Sequence, residues 1–130
     1  MTGRLILLAS AFGCLLINDA ILSPAKAEDA YEFAPPPGRN YLRVYRVNKS
    51  TGEMGACQFA AKPNTVGNTV CFPPGEGGGA QAQGSYGLVS SNLAEEGGVF
   101  RVNRQTGEMH VCYVLDSKVV CAPVASPPTP

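Results

Sequence analysis

The chain has no tryptophan, a single histidine and no net charge: 10 basic residues stand against 10 acidic ones, and only 15% of positions are charged. Each scarcity excludes something. One histidine, His110, cannot build a multi-histidine metal site. As a catalytic base it would need an oriented partner, and none is evident beside it in sequence. The even charge leaves no basic stripe for a phosphate backbone, so nucleic acid is not an expected partner. Long apolar runs are missing too. Leu5 to Ile17 is a short, mostly apolar stretch, well under the roughly 20 residues that a membrane-spanning helix needs. There is no C-x-x-C for a redox dithiol or a close-paired zinc site. G-x-S-x-G is absent as well. Gly77-Gly78-Gly79 lacks the lysine and the following helix of a phosphate loop, and Glu95-Glu96 reads as a solvated, glycine-flanked turn. No cofactor-binding pattern emerges, and no enzyme is expected.

What is present is a repeat. Val99 to Cys121, VFRVNRQTGEMHVCYVLDSKVVC, echoes Val44 to Cys71, VYRVNKSTGEMGACQFAAKPNTVGNTVC, and the Thr-Gly-Glu-Met blocks begin at Thr51 and Thr106, an offset of 55 residues. Each copy reads as strand, Thr-Gly turn, Cys-bearing strand, loop, Cys-bearing strand. β-branched and aromatic residues fill the strands, while asparagine and glycine mark the turns. No helical period survives past the first 27 residues. The expected fold is all-β, two disulfide-closed antiparallel meanders packed as a small sandwich or barrel-like domain.

Residues 1–27 read as a secretory signal: Arg4, the short apolar stretch, then Ala25-Lys26-Ala27 as the cleavage site. Cys14, after Ala11-Phe12-Gly13, fits a lipoprotein signal poorly. Losing Arg4, Lys26 and Asp19 leaves 8 of 10 basic and 9 of 10 acidic residues, a net charge of −1. The remaining chain divides into a proline-rich lead-in (28–40, with a short strand at Tyr31 to Phe33), repeat one (41–74), a Gly-rich linker expected to be flexible (75–84), repeat two (85–122) and a Pro-rich tail expected to be disordered (123–130).

Four cysteines then remain, Cys57, Cys71, Cys112 and Cys121, and an even count in a short exported chain reads as disulfides. If Asp116-Ser117 is a two-residue hairpin loop, Cys112 faces Cys121 at a non-hydrogen-bonded site, where Cα atoms lie about 4.5 Å apart. Cys57–Cys71 follows by symmetry. Each bridge should contribute on the order of 2.5–3 kcal/mol. The same counting puts Tyr45, Val47, Met54 and Ala56 on the core side of copy one. Phe100, Val102, Met109, Val111, Tyr113 and Val120 take the core side of copy two. A bulge at the Thr-Gly turn would flip these faces. The opposite faces carry Arg46, Arg101 and His110, the candidate ligand-facing residues.

The pattern R-V-N-x-x-T-G-E-M-x-x-C with a closing V-C resembles a repeat of uncharacterised small exported or membrane-anchored bacterial proteins. There the form is nearer L-D-x-x-T-G-x-x-x-x-C with W-x-C. Asn48 and Asn103 replace the aspartate here, and Thr69 and Val119 stand where tryptophan is usual. The hairpin also resembles a blade hairpin of quinoprotein-type β-propellers, although two units cannot close a propeller. Neither resemblance implies an activity. The expectation is a periplasmic or secreted β-module with a binding or structural role and no catalysis, its partner an envelope protein or an anionic envelope polymer, with no membrane span after processing. A small secreted hydrolase or enzyme inhibitor is the alternative.

Overall fold

The computed structural model describes residues 30–127 and 129. The expected signal segment, Cys14 within it, and Pro128 and Pro130 of the tail lie outside the described residues. Eight strands follow in order: β1 (Tyr31–Ala34), β2 (Arg43–Asn48), β3 (Met54–Ala60), β4 (Asn68–Phe72), β5 (Tyr86–Val89), β6 (Val99–Asn103), β7 (Met109–Leu115) and β8 (Lys118–Cys121). They form two antiparallel four-stranded meanders, β1-β2-β3-β4 and β5-β6-β7-β8, packed on one core. The fold is all-β, as the alternation and turn chemistry require.

The turns show why the strands stop where they do. Asn48 Oδ1 accepts from the N–H groups of Ser50 and Thr51, and Asn103 Oδ1 does the same for Gln105 and Thr106. Gly52 and Gly107 then take φ of 71° and 78°, a region open to glycine without steric penalty. Asp116 and Ser117, at φ 47° and 62°, form the two-residue loop whose backbone twist matches the flanking strands. That loop pairs Cys112 with Cys121, and β3 pairs Cys57 with Cys71. Both disulfides form, with Cα–Cα distances of 4.0 and 4.1 Å.

The repeat is larger than its sequence signature. β1 and β5 sit at the edges of their sheets, and Tyr31 and Tyr86 keep the 55-residue offset and face Asn48 and Asn103 respectively. The proline-rich lead-in therefore contributes a strand to the first sheet. The linker is also part of the fold rather than a loose tether. Val119 N–H donates to Pro73 O, Gly75 N–H to Val119 O and Cys121 N–H to Glu76 O, so Pro73–Glu76 runs parallel along the outer edge of β8. Further on, Met54 N–H donates to Gly78 O and Gln81 N–H to Thr51 O.

The faces of copy one fall as expected, with Tyr45, Val47, Met54 and Ala56 at most 3% exposed. Those of copy two are reversed. The register is the expected one, Phe100 facing Val111 and Val102 facing Met109, so no bulge has intervened. Instead, the second sheet docks through its other side, burying Val99, Arg101, Cys112, Val119 and Cys121 and leaving Phe100, Met109 and Tyr113 38%, 60% and 38% exposed. Two causes are visible. β5 adds Tyr86 and Leu88 to the disulfide-bearing face but Gly87 and Val89 to the other, so apolar area favours burying the former. Arg101 can enter because carbonyls of the first Thr-Gly turn and of the linker meet its guanidinium. The sheets thus stack front to back: the face of sheet one without its disulfide meets the face of sheet two that carries one.

Candidate functional site

The two repeated arginines occupy equivalent positions and do different things. Arg101, on β6, is 2% exposed. Its Nη1 donates to Gly52 O at 3.0 Å and to Gly77 O at 3.1 Å, tying the second sheet to the first Thr-Gly turn and to the linker. Burial pulls its guanidinium below the ordinary arginine value, and Tyr86 and Glu108 offset part of that. Its expected place on a ligand-facing surface is corrected: hydrogen bonds to two carbonyls hold it inside. Arg46, on β2, is exposed, with its guanidinium carbon 5.2 Å from the centre of the Tyr31 ring. Gly55 lies opposite it, and a Cβ there would come within 3.0 Å of Arg46 Nε.

His110, on β7 opposite Arg101, is half-buried at the sheet margin. Its Nδ1 lies 2.9 Å from Ala122 O and its Nε2 2.9 Å from Glu108 Oε1. Two acceptors face the ring, so only the doubly protonated form donates to both. This ties the end of β8 to the second Thr-Gly turn. A histidine–carboxylate pair is one half of a nucleophile-activating arrangement. The hollow beside it is lined by Gln81, Tyr86, Arg101, Asn103, Glu108 and His110, which offers a tyrosine but no serine or cysteine.

The reversed packing creates what sequence reasoning missed. Phe100, Met109 and Val111 form the floor of a groove of about 450 Å³, walled by Leu93 and Pro123 and mostly apolar. It adjoins a second hollow of about 430 Å³ between Tyr41, Arg43, Glu96 and Tyr113. Arg43 is held there by its Nε and Nη2, which donate to Gln58 Oε1 at 2.9 and 2.6 Å. Its guanidinium carbon also lies 5.0 Å from the Tyr41 ring centre and 5.6 Å from that of Phe72. Only the second sheet's docking side could have revealed this surface, and pairing rules do not fix that side.

A further polar contact closes the seam between β1 and β5. Glu32 Oε1 accepts from Leu88 N–H at 2.9 Å, and Arg104 Nη2 reaches both carboxylate oxygens at 2.9 and 3.1 Å. Burial works to raise the Glu32 carboxyl. The Leu88 N–H bond and then Arg104 outweigh it, leaving the group below its ordinary value. Among the described residues, no cluster of three or more His, Cys, Asp or Glu could hold a metal ion. Compared with protein-family models, curated proteins and solved structures, the chain matches none of them.

Proposed function

We propose that the protein is a non-catalytic binding module of the cell envelope. It is exported through residues 1–27, cleaved after Ala27, and works by holding another polypeptide on the outward face of its second sheet. Two disulfides point to an oxidising compartment outside the cytoplasm. The observation that carries the binding reading is the exposed apolar face that presents Phe100, Met109 and Tyr113, a surface that marks an interaction site more often than an idle one. An anionic polymer is the weaker fit, because the repeated arginine offers only Arg46 to solvent.

The test places a photo-cross-linking residue at position 109 or, as a control, at position 66, where Val66 is 95% exposed on a remote loop. Irradiation in intact cells should give a discrete protein adduct from position 109 and none from position 66. Adducts from both positions, or from neither, would contradict the reading. The alternative, a hydrolase using the His110–Glu108 pair, requires His110→Ala to abolish an activity of the purified protein.

A further inference from the structure

Front-to-back stacking leaves each outer face equivalent to a face already buried at the interface between the two sheets. At the 55-residue offset, outward Phe100, Val102, Met109 and Val111 match Tyr45, Val47, Met54 and Ala56, the core side of sheet one. On the other side of the molecule, outward Tyr31, Phe33, Val44 and Arg46 match buried Tyr86, Leu88, Val99 and Arg101. Tyr31, Phe33 and Val44 are 40%, 63% and 47% exposed. The molecule thus presents, on opposite sides, the two halves of its own internal interface. The turn geometry repeats as well. Gly52 packs so that a Cβ would lie 2.9 Å from the Tyr86 ring, whereas nothing lies within 4 Å of a Cβ at the equivalent Gly107. Arg46 is the equivalent of Arg101, which donates to Gly52 O, and Gly107 is the equivalent of Gly52. Two sets of contacts are not repeated: Tyr45 donates its hydroxyl to Gly97 O whereas Phe100 has none, and Glu32, which accepts from Leu88 N–H and Arg104, is matched by Gly87.

The strand edges give an independent second sign. The Cys57–Cys71 Cα distance of 4.0 Å marks a non-hydrogen-bonded pair, so the N–H groups of Cys71 and Thr69 point away from β3. In copy two the corresponding groups, on Cys121 and Val119, are met by Glu76 O and Pro73 O of the segment that follows copy one. Among the described residues, none supplies such a segment to β4. The segment that follows copy two begins in the same way, Cys121-Ala122-Pro123 against Cys71-Phe72-Pro73. The equivalent pairing asks for an N–H only at Ala125, and the prolines fall elsewhere. A Cβ at Gly75 would lie 2.8 Å from Lys118 Cβ, so Ala125 at the equivalent place requires the paired strands to sit wider apart. Within one molecule the tail makes no such bond to β4 among the described residues. Pro74 lies level with Val119, so the path from Thr69 to Pro123 continues in one direction for about nine residue rises, up to roughly 30 Å when extended.

We infer that the partner of the outward face is a second copy of this chain, added head to tail. The Phe100–Met109 face of one molecule packs on the Tyr31–Phe33–Arg46 face of the next, and its Pro123–Ser126 segment pairs with the β4 edge of that next molecule. The inference rests on reading the outward face as an interaction surface and names its occupant. A heterologous contact of this kind makes rings if the rotation closes and open chains if it does not.

The experiment uses the full chain with both disulfides formed, in analytical ultracentrifugation. The wild type should assemble with rising concentration. Arg46→Glu and Met109→Asp, both on exposed side chains, should each weaken assembly at least tenfold while leaving the melting transition cooperative. Thr69→Pro, which removes an outward N–H, should do the same. Because each of the first two variants spoils a different face, mixing them should give a 1:1 complex that grows no further. A wild type that stays monomeric to about 1 mM, or a mixture that stays monomeric, overturns the inference. The adduct from position 109 separates this result from the broader reading: an adduct between two copies supports head-to-tail assembly, one with a different protein overturns it and leaves the binding module intact, and no adduct overturns both.

Discussion

Replacing Arg101 by methionine tests the packing most sharply, because Arg46→Met at the equivalent position is a built-in control. In the Arg101 variant, Gly52 O and Gly77 O lose their donor. An orphaned buried acceptor costs about 1–3 kcal/mol. Gly52 is buried and should incur most of that, whereas Gly77 is exposed and can turn to water. Lost contacts around a side chain only 2% exposed add to this, and relief from burying the guanidinium subtracts. The net expectation is a loss of about 2–4 kcal/mol. For a domain of this size that lowers the melting temperature by roughly 10–25 °C. Arg46→Met removes only an exposed contact with Tyr31, worth at most about 1 kcal/mol. Both variants are compared by urea unfolding, with disulfides intact and at concentrations that keep the chain monomeric. Equal losses would refute the reasoning, since they would mean that the two arginines are buried alike.

Three further outcomes follow from the same geometry. Glu32 is held below its ordinary carboxyl value, so its contribution is present above that value and lost as pH falls through the lower folded one; Glu32→Gln should cost about 1 kcal/mol at neutral pH and flatten the acid limb of the stability profile. Native-state reduction followed by mass spectrometry should open Cys57–Cys71 first, because Cys71 is exposed while Cys112 is 0% and Cys121 6% exposed; the reverse order would contradict the assigned faces. Gly107→Ala should cost about 1 kcal/mol for its positive φ alone, whereas Gly52→Ala must also displace the Tyr86 ring and should cost clearly more in thermal melts of the dilute protein.

How far the sequence went depends on which interaction decided each feature. Local chemistry was legible. Asn48 and Asn103 fixed their turns, the Asp116-Ser117 loop fixed the Cys112–Cys121 register, and the second bridge followed by symmetry. Features decided by long-range contacts were not. Strand alternation puts Arg101 and Phe100 on different faces of the sheet but does not say which face turns inward. A rule that sends charge outward gives the wrong answer when carbonyls 24 and 49 residues away are waiting for it. The glycine-rich composition of residues 75–84 suggested a tether for a related reason. Glycine is read as freedom, yet a Cβ at Gly77 or Gly78 would collide with the carbonyl oxygen of Cys121 or Val119 on β8, so these glycines permit close approach. The groove could not be foreseen, because it lies on the face that apolar patterning assigns to the core.

Equivalent faces of the two sheets have opposite environments, and the two equivalent methionines report on the difference. Met54 is 1% exposed and Met109 60% exposed. Limited peroxide oxidation of the dilute native protein, followed by peptide mass spectrometry, should convert Met109 to its sulfoxide at a rate near that of the unfolded chain and leave Met54 protected at least tenfold. Protection of both methionines under the same conditions would mean that the sheets meet through equivalent faces, which contradicts front-to-back stacking.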